Sequence, residues 1–346
     1  MDGRLLALDP PTPSSYLAQA PRGAYTALRL PRPFFAVDWA QHVARLEQSI
    51  GLLHEAGLVD YGAWHGMESE KGNTLADLLL LTAHSALRAL PAPGGPACLV
   101  LLACPGAPLQ VHAVAQPLVA DPYCTVPPGW AAVLGPGRAL PLAKDSAWVR
   151  ERAPLEGLRR PGVVEVLLAN AAGGLLEGLV TNFFVISGPA TASQRASDYT
   201  LQTAGEKDGV LAGTARRAAL RAAAACGLTV LEQPPDPSHR SAWREAFLTN
   251  RYTFVAGRLY KGSRHCGTAS SGSPCDNCLR HPCSPLPPNP CSLRGCQNLT
   301  RIVRPGHWAV DLPPFRPWTA AICALLTKGE GGVNLRRPAL EGTPGP

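Results

Sequence analysis

Five lysines occur in the 346 residues: Lys71, Lys144, Lys207, Lys261 and Lys328. A lysine amine forms a Schiff base with an aldehyde once its surroundings favour the neutral form. Lys144 stands in LAKDSAW, and Glu177 follows in LLEGLVTNFFV. A carboxylate beside a ring nitrogen favours that nitrogen's protonated form. The segment GVLAGTAR sets Gly213 and Thr214 at the start of an alanine-rich stretch with helical character. Free N–H groups and the dipole at a helix N-terminus attract phosphate. EAFLTN ends in Thr249 and Asn250, which can add a second contact to the same anion. His42 and Arg45 lie one helical turn apart, and Arg45 is a charged donor able to reach a phosphate. An amine, an acid and a phosphate cup are the parts that pyridoxal phosphate chemistry requires.

These residues need elements to hold them. From Asp38 to Gly57, apolar Trp39, Val43, Leu46, Ile50 and Leu53 recur at alternating steps of four and three. That spacing predicts an amphipathic helix, with Asp38 as N-cap and Gly57 as stop. Asn73 or Thr74 can cap a second helix reaching Leu90. ACLVLLAC (97–104) and VHAVAQPLV (111–119) read as strands. VVEVLLAN (163–170) reads as a buried strand, Gly173 and Gly174 as a turn, and LVTNFFVIS (179–187) as the returning strand. TARRAALRAAAACG predicts a helix ending at Gly227, and LTVLEQ and EAFLTN two further strands. The mixture predicts an α/β (α+β) chain of two domains with much antiparallel sheet. The expected layout is a smaller domain over 1–121, a linker over 122–141, a cofactor domain over 142–327 and a tail over 328–346.

Composition narrows the class. Pro (36) and Gly (34) make up about a fifth of the chain, against a usual share of about 12%. Six of the eleven cysteines fall between Cys266 and Cys296, in a proline-rich stretch without periodicity. That pattern predicts a Cys- and Pro-rich insertion over 251–291. Cys275 and Cys278 have half of a zinc-knuckle spacing, but no second CxxC follows, and no metal site is expected. The charge of +7 is diffuse, with no basic cluster interleaved with aromatics, so no nucleic-acid partner is expected. The leucine-rich stretch from Leu75 to Leu90 is broken by Asp77, His84 and Arg88 and is too short to span a bilayer. With no signal-peptide core in MDGRLLALDPPTPSS, the expected setting is cytoplasmic, with reduced thiols.

The motifs resemble those of the class IV aminotransferases, pyridoxal phosphate enzymes of fold type IV. That group includes branched-chain and D-amino acid aminotransferases and aminodeoxychorismate lyases. EGLVTNFF resembles the family's E-G-x-x-[ST]-N-x-F signature. LAGTAR resembles its phosphate-binding segment, QHVARL its H-x-x-R-L helix, and RGAYTALR its substrate-lining strand. The resemblance implies a two-domain fold type IV architecture and pyridoxal 5'-phosphate as cofactor. Lys144 would form the internal aldimine, and Glu177 would face the pyridine nitrogen. Asn182 would shape the pocket floor, and Arg45, Gly213, Thr214, Thr249 and Asn250 would hold the phosphate. Tyr25 and Arg29 would contact substrate. It also implies a homodimer acting on a small amino acid and a 2-oxo acid, with no membrane partner.

Two departures from the family pattern bear on function. A Tyr often follows the lysine in branched-chain enzymes, but here the run is Asp145, Ser146, Ala147, Trp148, Val149. Substrate identity therefore does not carry over. The expected insertion of 41 residues also separates Asn250 from Ser292, the residue in place to donate to the phosphate. A lyase outcome stays open at this level, as does a scaffold whose phosphate site the insertion has broken.

Overall fold

A computed structural model describes residues 12–30, 35–62, 74–90, 96–106, 109–118, 130–159, 163–190 and 195–250, together with the short segments 254–257 and 333–334. The first part of the chain runs α1 (Pro13–Gln19), β1 (Ala24–Leu30), β2 (Phe35–Ala36), α2 (Trp39–Glu55), α3 (Leu75–Arg88), β3 (Ala97–Cys104) and β4 (Gln110–Pro117). Strands β1, β3 and β4 form an antiparallel sheet in that order.

The apolar row expected on α2 is buried: Trp39, Val43, Leu46, Ile50 and Leu53 all lie in one core. Asp38 is the N-cap residue, but its backbone is left-handed (φ 55°) and its side chain makes no capping bond. Thr74, by contrast, closes a full capping box with Asp77 at the start of α3. Gly57 and Gly227 follow their helices with φ of +64° and +81°, the left-handed stops that glycine adopts without strain.

β3 is buried at all eight positions. Ala97, Leu99, Leu101 and Ala103 face the core under α2 and α3. Cys98, Val100, Leu102 and Cys104 face the other way, against Leu17, Tyr25 and Val149. A strand covered on both faces reads as a continuous apolar run, as ACLVLLAC does.

The second part runs β5 (Trp130–Pro136), α4 (Trp148–Glu151), α5 (Ala153–Gly157), β6 (Val163–Ala169), β7 (Leu175–Gly178), β8 (Asn182–Ser187), β9 (Thr200–Thr203), α6 (Thr214–Ala225), β10 (Thr229–Glu232), β11 (Trp243–Thr249) and β12 (Phe254–Gly257). Its sheet has the order β10–β9–β8–β7–β6–β5, and β11 pairs with both β8 and β12. The pairs β5–β6 and β9–β10 are parallel, and the others are antiparallel. The short strand β13 (Val333–Asn334) pairs with β2.

Three expectations need adjustment. Residues 130–136, read as linker, form β5 along β6. Flanking Pro127, Pro128, Gly129 and Pro136 mask a four-residue apolar run, AAVL. The return from β6 is made by LLEG rather than by LVT. Leu179–Thr181 is instead the turn into β8. Residues 254–257, read as the start of the insertion, form β12 against β11. The rest of the expected insertion, Ser292 and the cysteines of the half-knuckle lie outside the described residues.

Candidate active site

The site is built where the two sheets meet. The Lys144 segment is hydrogen-bonded to the start of β1: Tyr25 N donates to Lys144 O at 2.9 Å, and Ser146 N donates to Gly23 O at 2.9 Å. Asp145 reinforces this, accepting Arg22 Nη2 at 2.6 Å and Ala147 N at 2.9 Å. On the other side, Lys144 N donates to Ser49 Oγ at 3.0 Å, and Ser49 Oγ donates to Arg45 O at 2.7 Å. The lysine backbone is therefore pinned to both β1 and α2, which leaves only its side chain to aim.

That side chain enters a cavity of about 510 Å³. Tyr25, Arg45, Lys144, Asn182, Gly213, Thr214 and Asn250 all border it. Lys144 Nζ lies 4.8 Å from the centroid of the Tyr25 ring. Burial holds the Lys144 amine below its ordinary range; the Arg45 and Arg138 cations act in the same sense, and Tyr25 opposes them. Burial alone would raise the Tyr25 phenol, but Lys144, Arg152 and Arg138 together bring it below its usual value.

One end of the cavity gathers a cation and backbone N–H donors. Arg45 is buried, and its Nη2 donates to Thr26 Oγ1 at 2.8 Å; the same hydroxyl meets His42 Nδ1 at 2.7 Å. Opposite it stands the N-terminus of α6, with Gly213 as N-cap and no side-chain cap. Among the described residues, the N–H groups of Thr214 and Ala215 have no protein acceptor. A Cβ on Gly213 would collide with the buried Asn182 Oδ1, so a larger residue here would force Asn182 to shift. Thr249 is not among the residues that border the cavity, but it stands opposite Asn182 in the β8–β11 register, and its buried Oγ1 has no hydrogen-bond partner among the described residues. Such donors suit a phosphate. Gly213→Ala should destabilise the protein by about 1–3 kcal/mol through overpacking. It should also weaken uptake of the cofactor, as checked by urea denaturation and cofactor titration.

Glu177 borders a smaller adjoining cleft shared with Lys144 and Asn182. Its Oε1 accepts Arg138 Nε at 2.8 Å, and its Oε2 accepts Leu211 N at 3.1 Å. Burial raises the Glu177 carboxyl, and Arg138 is the leading opposing charge. The turn from β7 to β8 is tied by Glu165, which accepts from Thr181 Oγ1 at 2.9 Å and from Arg159 at 3.0 Å. That turn sets Glu177 directly across from Asn182.

Arg29 is not brought to this cavity. It follows Tyr25 and Ala27 on the same face of β1, and of these three only Tyr25 and Ala27 border the cavity. Arg138 and Arg152 border the site without having been read as site residues. Arg138 stands in a Pro- and Gly-rich run, and Arg152 follows Lys144 by eight positions, so neither belongs to a recognisable motif.

The depressed Lys144 amine has a consequence for stability. An unfolded lysine holds its proton up to about pH 10.4. Between the lowered folded value and that point, the unfolded state binds more protons. Stability of the cofactor-free protein therefore rises with pH across this window. Urea midpoints should climb with pH on the approach to about pH 10.4, and Lys144→Met should flatten the slope.

The architecture defines the class first: it is the two-sheet fold of fold type IV pyridoxal phosphate enzymes. It is similar to the branched-chain amino acid aminotransferase of Escherichia coli, with 17% identity, 71% of this chain and 79% of that chain covered, and a TM-score of 0.51. It is also similar to the branched-chain aminotransferase of Thermoproteus uzoniensis with norvaline, with 19% identity, 74% and 84% covered, and a TM-score of 0.50. A third is the branched-chain amino acid aminotransferase of Thermobaculum terrenum (M4 mutant), with 16% identity, 74% and 82% covered, and a TM-score of 0.51. At these identities the likeness is one of fold. No curated protein matches the chain. The family profile described as amino-transferase class IV matches residues 130–257. The match marks this segment as transaminase-like, with pyridoxal 5'-phosphate as the cofactor of the family it matches. The match runs past Asn250 to the end of β12. Among the described residues, no helix is long and apolar enough to cross a membrane.

Proposed function

We propose that the chain is an aminotransferase that uses Lys144 to carry pyridoxal phosphate and to move the α-proton of a small amino acid. The observation that supports this most is the buried Lys144 amine, its basicity lowered by burial, in one cavity with Arg45 and the α6 N-terminus. When bound, the cofactor supplies an electron sink for the substrate's α-carbon.

The chain's own residues do the rest. Thr214 N, Ala215 N and the Arg45 guanidinium hold the phosphate, with Thr249 Oγ1 and Asn250 beside them. Ser292 is a further donor on the strength of the resemblance alone. Glu177 holds the ring nitrogen's proton. Arg138 occupies Oε1, and a carboxylate keeps further lone pairs for this second partner. Asn182 fixes the floor, donating to Leu211 O at 3.1 Å. Lys144 Nζ takes the α-proton as general base and returns it as general acid. Tyr25 lines the substrate side, as an aromatic wall beside the Nζ. A cavity of about 510 Å³ shared by cofactor and substrate suits a small amino acid, with a 2-oxo acid as acceptor. A cytoplasmic homodimer is the setting that goes with this reading.

The test is chemical. Protein incubated with pyridoxal phosphate should gain a visible absorption that borohydride abolishes. Peptide mass spectrometry should then find the reduced adduct on Lys144. An adduct on Lys207, or none, would sink the assignment. Screening amino donors by the spectral change of the half-reaction then identifies the substrate.

A further inference from the structure

Arg152 has no part in the roles above, yet it borders the cavity beside Lys144 and Tyr25. It is the hinge residue between α4 and α5, with φ −80° and ψ −16°. Its side chain is only 7% exposed. Its Nε donates to Glu156 Oε1 at 2.8 Å, and among the described residues that is its one side-chain hydrogen bond.

A guanidinium carries five N–H donors in a planar fork. Glu156 takes the one at Nε, and the four on Nη1 and Nη2 remain. The cavity lining combines apolar Leu17, Val100, Leu118 and Val149 with the polar side chains of Thr12, Ser14, Tyr25 and Gln116, and among the described residues it holds no carboxylate. Arg152 lines the cavity, and bidentate bonds to an anion there would use the donors that Glu156 leaves over. Arg45 and the α6 N-terminus already serve the phosphate end. The cavity thus holds a second cation, on a different element, next to the lysine.

Resting on the aminotransferase reading above, we propose that Nη1 and Nη2 of Arg152 bind the carboxylate of the amino-acid substrate. A carboxylate meets this fork with two parallel N–H···O bonds, which orients the substrate as well as holding it. Val149, packed with Leu17 and Ala20 of the α1 region, keeps the α4–α5 hinge in place. Arg150 adds to this by donating to Ala18 O at 3.2 Å. Arg152 is accordingly a substrate-binding residue, set by the same short helices that follow Lys144.

The first test needs no cofactor. Calorimetric titration of the cofactor-free protein with 4-methylpentanoate should show binding, and the corresponding amide should bind at least about 10-fold more weakly. Arg152→Met should weaken the carboxylate by about 10- to 100-fold and leave the amide unchanged. Arg152→Gln serves the same purpose if the Met variant does not fold. Equal affinity of carboxylate and amide, or unchanged carboxylate binding in the variant, overturns the proposal. In the loaded enzyme, Arg152→Met should raise KM for leucine while leaving that for 3-methylbutylamine unchanged. A rise for both compounds would also overturn it. Arg152-dependent carboxylate binding in a wild-type protein that takes up no pyridoxal phosphate would uphold the carboxylate site and sink the aminotransferase reading instead.

Discussion

Lys144→Ala should abolish the visible absorption of bound pyridoxal phosphate and lower transamination at least about a thousandfold. The amine is both the attachment point and the proton carrier in the proposed reaction, so no neighbour can stand in for it. Lys207, the other lysine among the described residues, is exposed and lies away from the cavity wall. The substitution should leave the fold intact. The bonds that pin this segment run through the backbone N–H and C=O of residue 144, which alanine keeps. Lys144→Arg should fail as well, since a guanidinium stays protonated and is no nucleophile. Absorption spectra and single-turnover rates check this, with thermal melting as the control. A spectrum unchanged by Lys144→Ala would remove the residue from both roles.

The second large effect is on stability. Arg138→Met should destabilise the protein by about 3–5 kcal/mol, because it leaves Glu177 as an uncompensated buried charge. The side chains of Arg138 and Glu177 are 8% and 5% exposed and meet at 2.8 Å. Arg138 also donates to Pro141 O at 2.5 Å, which braces the loop that delivers Lys144. Adding Glu177→Gln should recover part of the loss, since the amide carries no charge to strand. A urea-denaturation double-mutant cycle measures this. If the double variant is no more stable than Arg138→Met alone, the ion pair is not the cause.

Much of the site was legible because its chemistry is local. EGLVTNFF fixes Glu177 and Asn182 across one tight turn, and GTAR fixes Gly213 and Thr214 at a helix start. HVAR fixes Arg45 on the inner face of a helix whose period is plain in the sequence. What escaped is tertiary. Arg138 pairs with Glu177, and Ser49 holds Lys144, only because distant segments meet, and no spacing records that. Arg29 follows the correct two-residue alternation from Tyr25, but alternation gives the face of a strand and not where along it the cavity ends. β5 was hidden by prolines and glycines that flank the strand rather than break it.

The Lys144 segment also bears on how the protein reaches its native state. Arg22 and Asp145 are 123 residues apart in sequence, and Ser49 and Lys144 are 95 apart. Closing loops of that length costs chain entropy before any contact repays it. Each sheet can gather most of its own strands through shorter loops, whereas the seam between them cannot form until both exist. The cavity is thus a late product of folding, and loss of a seam contact should speed unfolding more than it slows refolding.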